Sequence, residues 1–476
     1  MRPEEEVNAV SDRLSPLDVS FLYLEEATTP MHVGSVSLFE IPARGFDYER
    51  LLALIEERIP LVPRYRQRIR WVPGYLANPV WVDDENFDVA YHVRRSALPR
   101  PGTDQQLREL VARVQSRRLD RDRPLWEMYL VEGLQENRFA IITKTHHAMV
   151  DGLSAVDIGQ VLLDVTATPR PSPPDTWRPD PDPTWLELVS GAVLDNMRRP
   201  SAMIDTVRTG VSDIRATVKR TVGAAAGLLA FTRTAARSAP PTPLNVPIGE
   251  QRRYGMAATS LDDYKRIRKA HSADAPITVN DVVLTVVAGA LRAWMLTRGE
   301  PVKPASTVRA MVPVSIRLPG QVSTLGNRIS SYFVNLPIGE ADPLVRLYQV
   351  SYAMRAHRDS GQAVGADLIA GLAGFAPPTM HALSAQVASS FSQRIFNTVV
   401  TNVPGPQFPL YAAGARMLAT YPVVPLVKNQ AVSIGLTSYD GGVYYGLNAD
   451  RDAMADVDVL AQCIEDALAE LVDPVQ

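Results

Sequence analysis

The stretch that decides the fold is RFAIITKTHHAMVDGLSAVDIGQVLLDV, residues 138–165. It opens with the apolar run Arg138–Thr145, which is typical of a buried strand, and it closes with Leu153–Val165, where apolar residues recur at helical spacing. Between them lies the loop HHAMVDG, His146–Gly152. A strand, a short polar loop and a helix in succession predict an α/β protein whose loop lies at the end of a strand.

The two adjacent histidines of this loop are candidates for a catalytic base. If the strand stays extended through both, successive side chains point to opposite faces, so His146 and His147 cannot face the same cavity. A neutral imidazole, with an ordinary pKa of ~6.5, accepts a proton at neutral pH. We expect Asp151 to brace the loop through an arginine or backbone amides, and Gly152 to allow a tight turn into the helix.

Two other interpretations of the motif stay open at this point. The histidines could simply end a strand while Asp151 caps the next helix. Histidine and aspartate also bind zinc, but adjacent histidines on opposite faces form a poor chelate and no third nitrogen or sulfur ligand is near in sequence. We therefore expect no metal. We expect the isolated His32, within the predicted strand Met31–Ile41, to be structural rather than a second base.

Composition excludes several classes of protein. The 476 residues include 49 basic and 52 acidic side chains, and the net charge of −3 supplies no field to hold nucleic acid. The one cysteine, Cys463, excludes a disulfide framework and a cysteine-based metal site. The N-terminal residues MRPEEEV contain no apolar signal segment, and no apolar run is long enough to span a bilayer. We expect a cytoplasmic protein.

Two proline-rich stretches divide the chain, at Pro169–Pro183 and Pro240–Pro247. Proline fixes φ and removes a backbone donor, so neither helix nor sheet runs through such stretches. Between them, Trp185–Arg237 has helical spacing. We predict an N-terminal domain over 1–168, a connector over 169–249 and a C-terminal domain over 250–476. Residues Arg198–Arg237 hold eight basic and two acidic side chains, which indicates either a lipid-surface element or a solvated connector.

Several motifs together resemble one known family. HHAMVDG matches the HHxxxDG motif of the coenzyme A-dependent acyltransferase superfamily. The chain resembles the bacterial wax ester synthase/diacylglycerol acyltransferase family over nearly its whole length. The supporting motifs follow the family's order: SPLDVSFLYLE (Ser15–Glu25), TPMHVG (Thr29–Gly34), PLWEMYLVEGL (Pro124–Leu134), TPLNVPIGEQRR (Thr242–Arg253), TVNDVVLTVVAGALR (Thr278–Arg292), GNRISSYFVNLP (Gly326–Pro337) and NVPGP (Asn402–Pro406).

This resemblance implies a chloramphenicol-acetyltransferase-like fold of two α/β domains, each a sheet flanked by helices, with a channel between them. It implies that His147 is the general base, and that His146 and Asp151 support the motif. The base would take the proton of an alcohol hydroxyl as its oxygen attacks the thioester of a fatty acyl-CoA. No cofactor is implied beyond acyl-CoA as co-substrate. A ternary complex is expected, since the sequence has no GxSxG nucleophile motif.

Two further motifs of the family have structural interpretations of equal standing. Asn280 and Asp281 match its ND motif, where the amide of Asn280 could donate to an oxyanion. Asp281, three residues after Thr278, also fits a helix capping box. Pro124, Leu125 and Trp126 match its PLW motif and could line an acyl pocket or belong to the core. We expect the NVPGP stretch to be a turn that crosses between the domains.

The resemblance implies acyl transfer from long-chain acyl-CoA to diacylglycerol, with a long-chain fatty alcohol as the alternative acceptor. A neutral lipid product implies peripheral contact with the inner membrane face or lipid inclusions. Three rivals remain: a condensation enzyme that uses a carrier protein, a catalytically silent lipid-surface protein, and a zinc hydrolase.

Overall fold

A computed structural model describes residues 12–150, 161–172, 174–198, 238–272, 276–315, 329–360, 364–365 and 395–473. Within these segments, two large mixed sheets are flanked by helices. The helices are α1 (Pro16–Leu24), α2 (Tyr48–Arg58), α3 (Val89–His92), α4 (Asp104–Ser116), α5 (His147–Val150), α6 (Trp185–Arg198), α7 (Leu261–His271), α8 (Val279–Thr297), α9 (Pro343–Ser360) and α10 (Val457–Val472).

The strands alternate with these helices, as an α/β chain requires. They are β1 (His32–Glu40), β2 (Gln67–Arg70), β3 (Val80–Asp83), β4 (Val93–Ala97), β5 (Trp126–Leu134), β6 (Arg138–His146), β7 (Arg252–Ser260), β8 (Val308–Ser315), β9 (Ile329–Leu336), β10 (Val364–Gly365), β11 (Thr398–Pro404), β12 (Tyr411–Ala412), β13 (Ala415–Val423), β14 (Val432–Tyr439) and β15 (Gly442–Asp450).

The first sheet has the strand order β12-β13-β1-β6-β5-β4. Its central strand β6 confirms the predicted strand Arg138–Thr145 and extends it by one residue, to His146. Hydrophobic clusters cover both of its faces, one containing Phe139 and the other Ile142. Burial on both sides explains why β6 reads as a continuous apolar run. The strand ends at His146, which is itself buried.

The second sheet has the order β10-β9-β8-β11-β14-β15-β7, and β11 runs parallel to both β8 and β14. From sequence, the turn residues at 439–442 predict a hairpin between Val432–Thr437 and Val443–Leu447. The pairing of β14 with β15 confirms it. The turn residues Asp440 and Gly441 have φ values of 42° and 85°. These left-handed values are those of the two-residue turn that matches strand twist in hairpins.

One pair of strands crosses between the two halves of the chain. β12 and β13 belong by sequence to the predicted C-terminal domain, yet β13 pairs antiparallel with β1 at the edge of the first sheet. The side chain of Tyr254, in β7 of the second sheet, donates to the carbonyl of Pro422 in β13 over 2.8 Å. Two strands of the predicted C-terminal domain, β12 and β13, therefore belong to the first sheet. Boundaries at 168 and 250 remain a prediction.

Helix α8 forms the centre of the second core. The spacing of apolar residues in the sequence predicts a helix over Val279–Leu296, and α8 confirms it. Nearly all of its apolar residues are buried among the helices and strands around it. Of the described helices, α8 alone has the length and apolar content of a membrane span, and 72% of that span is buried inside the protein. Such burial is typical of a core helix.

Two predicted helices are only partly described. Within Leu153–Val165, the described residues Val161 and Leu162 are helical, and Asp164 forms a β-bridge with Tyr411. The helix therefore ends before Val165, because the chain at Asp164 pairs with the first sheet. Within Trp185–Arg237, α6 confirms the helix as far as Arg198. The rest of the basic segment lies outside the described residues.

Candidate active site

His147 begins a single helical turn, α5, immediately after β6 ends. The strand therefore does not continue through both histidines, and the turn of the chain separates their side chains. The backbone N–H of His147 donates to the carbonyl of Met31 over 2.8 Å. Its half-buried imidazole stacks on the ring of Phe21, with centroids 4.0 Å apart and planes inclined by 20°. His147 is thus held at a strand end by contacts from Met31, the residue before β1, and from α1.

His146 is buried, and both of its ring nitrogens have partners. Nδ1 accepts the backbone N–H of Ala148 over 3.1 Å, and Nε2 lies 3.1 Å from Oε2 of Glu25. Because an amide N–H can only donate, Nδ1 carries no proton and Nε2–H donates to the glutamate. Burial is the main cause that lowers the pKa of His146, so this imidazole is neutral at neutral pH. With both ring nitrogens hydrogen-bonded and the side chain buried, His146 has the environment of a residue that supports the motif.

Glu25 is the residue after α1 and its side chain is also buried. Arg121 donates to its Oε2 over 2.9 Å. Burial opposes ionisation of this carboxyl, but hydrogen bonds from His146 and Arg121, together with the positive charge of Arg121, hold its pKa below the usual value. The site therefore contains a buried carboxylate in hydrogen-bond contact with His146.

His32 lies opposite His146 in the β1–β6 register and is 2% exposed. Its Nε2 accepts the backbone N–H of Leu119 over 3.4 Å. Burial lowers the pKa of His32 well below its ordinary value. This environment is that of a structural histidine, in line with the expectation from sequence.

Asp151 and Gly152 lie outside the described residues. In the described part of the chain, no group of three or more histidine, cysteine, aspartate or glutamate side chains could hold a metal ion. Cys463 is buried in α10.

Asn280 and Asp281 occupy the first turn of α8. Asp281 and Thr278 form the predicted capping box, with hydrogen bonds of 2.9 and 3.1 Å in the two directions. Asp281 is fully buried, and burial raises its pKa. Asn280 is half-buried, and its Oδ1 accepts from Nδ2 of Asn402 over 3.1 Å. The structure contains the predicted cap at Asp281, and a role in the site stays a prediction for both Asn280 and Asp281.

The PLW residues, Pro124–Trp126, contact the histidine pair through a backbone hydrogen bond. The carbonyl of Leu125 accepts the N–H of His146 over 2.9 Å. Pro124 and Leu125 are buried, and Trp126 is 1% exposed. The indole N–H of Trp126 donates to the carbonyl of Tyr65, and its ring stacks on His92. The structure places this tryptophan in the core, and an acyl-binding role for the three residues remains a prediction.

A sequence profile describing the wax ester synthase/diacylglycerol acyltransferase catalytic domain matches residues 14–283, and the profile of the family's C-terminal domain matches residues 325–472. The chain belongs to this family. The resemblance inferred from the motifs is thereby confirmed.

Two relatives match the chain with different identities and over different lengths. The probable diacylglycerol O-acyltransferase tgs3 of Mycobacterium tuberculosis is 46% identical over 263 residues, which are 55% of this chain and 97% of the relative. The probable diacylglycerol O-acyltransferase tgs1 of the same organism is 35% identical over 465 residues, which are 97% of this chain and 96% of the relative.

Solved structures confirm the predicted fold class. The wax ester synthase/diacylglycerol acyltransferase from Marinobacter aquaeolei VT8 is similar with a TM-score of 0.69 and 28% identity, over 98% of this chain and 99% of that one. The starter condensation domain of rhizomide synthetase has a TM-score of 0.55 and 14% identity, over 98% and 96% of the two chains. The latter similarity concerns the fold alone. The predicted channel between the domains remains a prediction for this family member.

Sequence reasoning missed the carboxylate and the ring that contact the histidines. Glu25 and Phe21 both lie in the motif SPLDVSFLYLE, which served only to support the family resemblance. A glutamate directly after an apolar helix was the available signal, because an acid at the C-terminal end of a helix is unfavourable unless something compensates it.

Proposed function

We propose that this protein transfers a long-chain fatty acyl group from acyl-CoA to the hydroxyl of diacylglycerol, which gives triacylglycerol and CoA. The observation that carries the proposal is the geometry of His147 within a member of this family: a half-buried imidazole, fixed at a strand end by Met31 and Phe21. The names of the Mycobacterium relatives support diacylglycerol as the acceptor.

In this mechanism His147 acts as the general base. It takes the hydroxyl proton while the acceptor oxygen attacks the carbonyl carbon of the thioester. The carbon–sulfur bond then breaks, and His147 returns the proton to the departing CoA sulfur. A well-placed base of this kind accelerates a reaction by ~10²–10⁴. Because a thioester is already activated, transfer within a ternary complex needs no acyl-enzyme, and buried Cys463 is not required as a nucleophile.

Asn280 is the candidate for stabilising the oxyanion that forms during attack. Its Oδ1 accepts from Asn402, and this bond fixes the amide with Nδ2 pointing away from that partner. A pre-oriented amide N–H is the kind of donor that stabilises developing negative charge. The position of the thioester relative to Asn280 is part of the proposal.

The second candidate acceptor is a long-chain fatty alcohol, which would give a wax ester by the same chemistry. The similar enzyme from Marinobacter, whose name includes both activities, supports this alternative. Acceptor choice depends on the shape of the acceptor's binding site, since the base and the donor are the same for both hydroxyls.

The test is CoA release from palmitoyl-CoA with diacylglycerol or hexadecanol, for the native chain, His147→Ala and His146→Ala. We expect release to depend on the acceptor and to fall by ~10²–10⁴ in His147→Ala. The loss in His146→Ala should be smaller, because water can replace part of the imidazole's hydrogen bonding. His271→Ala, a histidine of α7, serves as the matched control. No release from folded native protein with either acceptor would refute the proposal and favour the carrier-protein or non-catalytic alternatives.

We also propose peripheral binding to an anionic lipid surface through α6. Its residues Leu188 and Ala192 are buried against the protein, while Trp185, Val193 and Leu194 are 65%, 48% and 51% exposed. An exposed apolar helix face next to a basic segment is typical of interfacial helices. The segment that follows, Arg198–Arg237, has eight basic and two acidic side chains and therefore a net charge of +6.

Sedimentation with vesicles tests this contact. We expect binding to phosphatidylglycerol vesicles and weak binding to phosphatidylcholine vesicles, with the double variant Trp185→Ser/Leu194→Ser reduced toward the latter. Val459→Ser removes an apolar side chain of similar exposure from α10 and should leave binding unchanged. Equal binding by the double variant and the native chain would exclude α6 as the docking surface.

A further inference from the structure

Helix α1 contacts the histidine pair at two points that lie one turn apart. Phe21 stacks on the imidazole of His147, and Glu25 accepts the Nε2–H of His146. The two contacting residues are joined by a hydrogen bond of 3.2 Å from the N–H of Glu25 to the carbonyl of Phe21. We propose that Phe21 and Glu25 are positioning residues that hold the two histidines in their working orientation. This inference rests on the proposed role of His147 as the base.

The helix that carries these residues is anchored at its other end. The side chain of its N-cap residue, Ser15, accepts the backbone N–H of Asp18 over 3.1 Å and donates to the carboxylate of Asp18 over 2.7 Å. Val19 and Leu22 are buried in the first core. Capping and burial fix the helix, so its residues at the C-terminal end are held in defined positions.

Arg121 completes the support of Glu25. Its guanidinium donates to Oε2 of Glu25 and to the carbonyl of Leu22, both over 2.9 Å. A carboxylate at this end of a helix is otherwise opposed by the helix dipole. Arg121 offsets that repulsion and closes the last turn of α1 at the same time. The glutamate is therefore held as an acceptor that faces His146.

From Glu25 the support continues through His146 to the backbone of the motif. With Nε2–H donating to Glu25, Nδ1 is left as the acceptor for Ala148, the residue directly after His147. The hydrogen bond from Ala148 to His146 fixes the backbone next to His147. The imidazole ring of His147 is held by stacking on Phe21. Misplacement of a catalytic group by as little as ~1 Å can lower the rate about 10²-fold. Loss of either contact should therefore reduce turnover without changing substrate affinity.

Substitutions of Glu25 and Phe21, each with a control variant, test the positioning role. His146 and Arg121 both donate to Oε2 of Glu25. Glu25→Gln keeps an acceptor oxygen but removes the negative charge that strengthens these two hydrogen bonds. Phe21→Leu removes the stacked ring, and Phe21→Tyr keeps it. Glu26→Gln is the control, because Glu26 is the next glutamate along the chain and pairs with Lys428 instead.

We expect Glu25→Gln to lower kcat for CoA release about 10- to 100-fold, with the KM for palmitoyl-CoA within about twofold of native. Phe21→Leu should lower kcat about tenfold, Phe21→Tyr should restore it, and Glu26→Gln should match the native enzyme. Thermal unfolding of each variant checks that it is folded. A folded Glu25→Gln with native kcat, or a Phe21→Tyr as slow as Phe21→Leu, would overturn the proposal for the residue concerned.

A readout without substrate separates this inference from the proposed function. In protein labelled with ¹⁵N-histidine, His146 should show a neutral ring with the proton on Nε2, identified by its loss in His146→Ala. In Glu25→Gln the proton should shift partly to Nδ1. A native His146 protonated on Nδ1 would refute the positioning role even if the enzyme is active. Native protein with the expected Nε2–H but no CoA release would refute the proposed function instead.

Discussion

The side chain of Asn402 donates from Nδ2 to Oδ1 of Asn280 over 3.1 Å. This bond joins the end of β11 to the first turn of α8. The sequence NVPGP was expected to form a domain-crossing turn, but its first three residues instead continue β11 parallel to β14. Strand β11 thus places Asn402 in contact with the Asn280 amide, which we propose as an oxyanion donor.

If Asn402 orients Asn280, the two residues act as one unit. We expect Asn280→Ala to lower kcat about 10²-fold and Asn402→Ala about tenfold, because an oriented donor is lost in the first and only its orientation in the second. The double variant should be no slower than Asn280→Ala alone. Steady-state CoA release measures all three, with Asn335→Ala, an exposed asparagine of β9, as control. Multiplying losses in the double variant would show that the residues act independently.

Buried histidines make the stability of the protein depend on pH. Burial is the main cause that lowers the pKa values of His32, His92 and His146 in the folded chain. The unfolded chain therefore takes up protons first, at its ordinary pKa of ~6.5, and folding stability is lost as the pH falls through that value. The lowered pKa of Glu25 acts at more acid pH, because the ordinary value of a glutamate is near 4.5.

The free energy of unfolding in urea should accordingly decrease from pH 7.5 to pH 5.5. His92→Phe keeps an aromatic ring between Phe87 and Trp126 and removes one titrating group. We expect the slope of stability against pH in this variant to shrink by up to about one proton, whatever its stability at pH 7.5. An unchanged slope would mean that His92 does not contribute to the pH dependence.

The parts of the fold that sequence predicted are those governed by local pattern. β6, α8 and the β14–β15 hairpin each carry their periodicity or turn residues within a short window. Apolar spacing in the sequence predicts a helix over Leu107–Leu119. Helix α4 instead runs over Asp104–Ser116, because its first turn is fixed by a polar capping box rather than by apolar spacing.

Contacts between distant residues had no such local signal. The crossing of β13 into the first sheet pairs Ser37 with Thr420, 383 positions apart. The bond from His146 to Glu25 spans 121 positions. His147 was found because its neighbours form a recognisable motif, whereas its supports in α1 approach it only after folding.

Trp126 offers a test that separates a core residue from an acyl-binding one. Trp126→Phe should lower the free energy of unfolding by about 2–3 kcal/mol, through the lost bond to Tyr65 and the lost volume. If the residue is core alone, the ratio of turnover with palmitoyl-CoA to that with octanoyl-CoA stays within about twofold of native. Urea unfolding and CoA release measure the two quantities. A marked change of that ratio in a folded variant would place Trp126 against the acyl chain.

Gly34 is the position in β1 where any side chain should disrupt the sheet beside the site. A Cβ atom at Gly34 would lie 2.0 Å from the carbonyl oxygen of Thr143 in β6, and backbone cannot yield as a flexible side chain can. Gly34→Ala must therefore separate β1 from β6 close to His146. We expect a loss of about 3 kcal/mol or more in the free energy of unfolding, or failure to fold.

The control for this change is Ser37→Ala in the same strand, which removes a hydrogen bond to Thr420 and adds no crowding. It should cost only about 1 kcal/mol. Urea unfolding at pH 7.5 compares the two variants, and CoA release by the folded fraction shows whether the displaced strand also moves the histidines. The carbonyl of Met31, which lies directly before β1, anchors the backbone of His147. We therefore expect activity to fall more steeply than stability in Gly34→Ala. Native-like stability in this variant would mean that β1 and β6 separate without cost, which contradicts their tight pairing at Gly34.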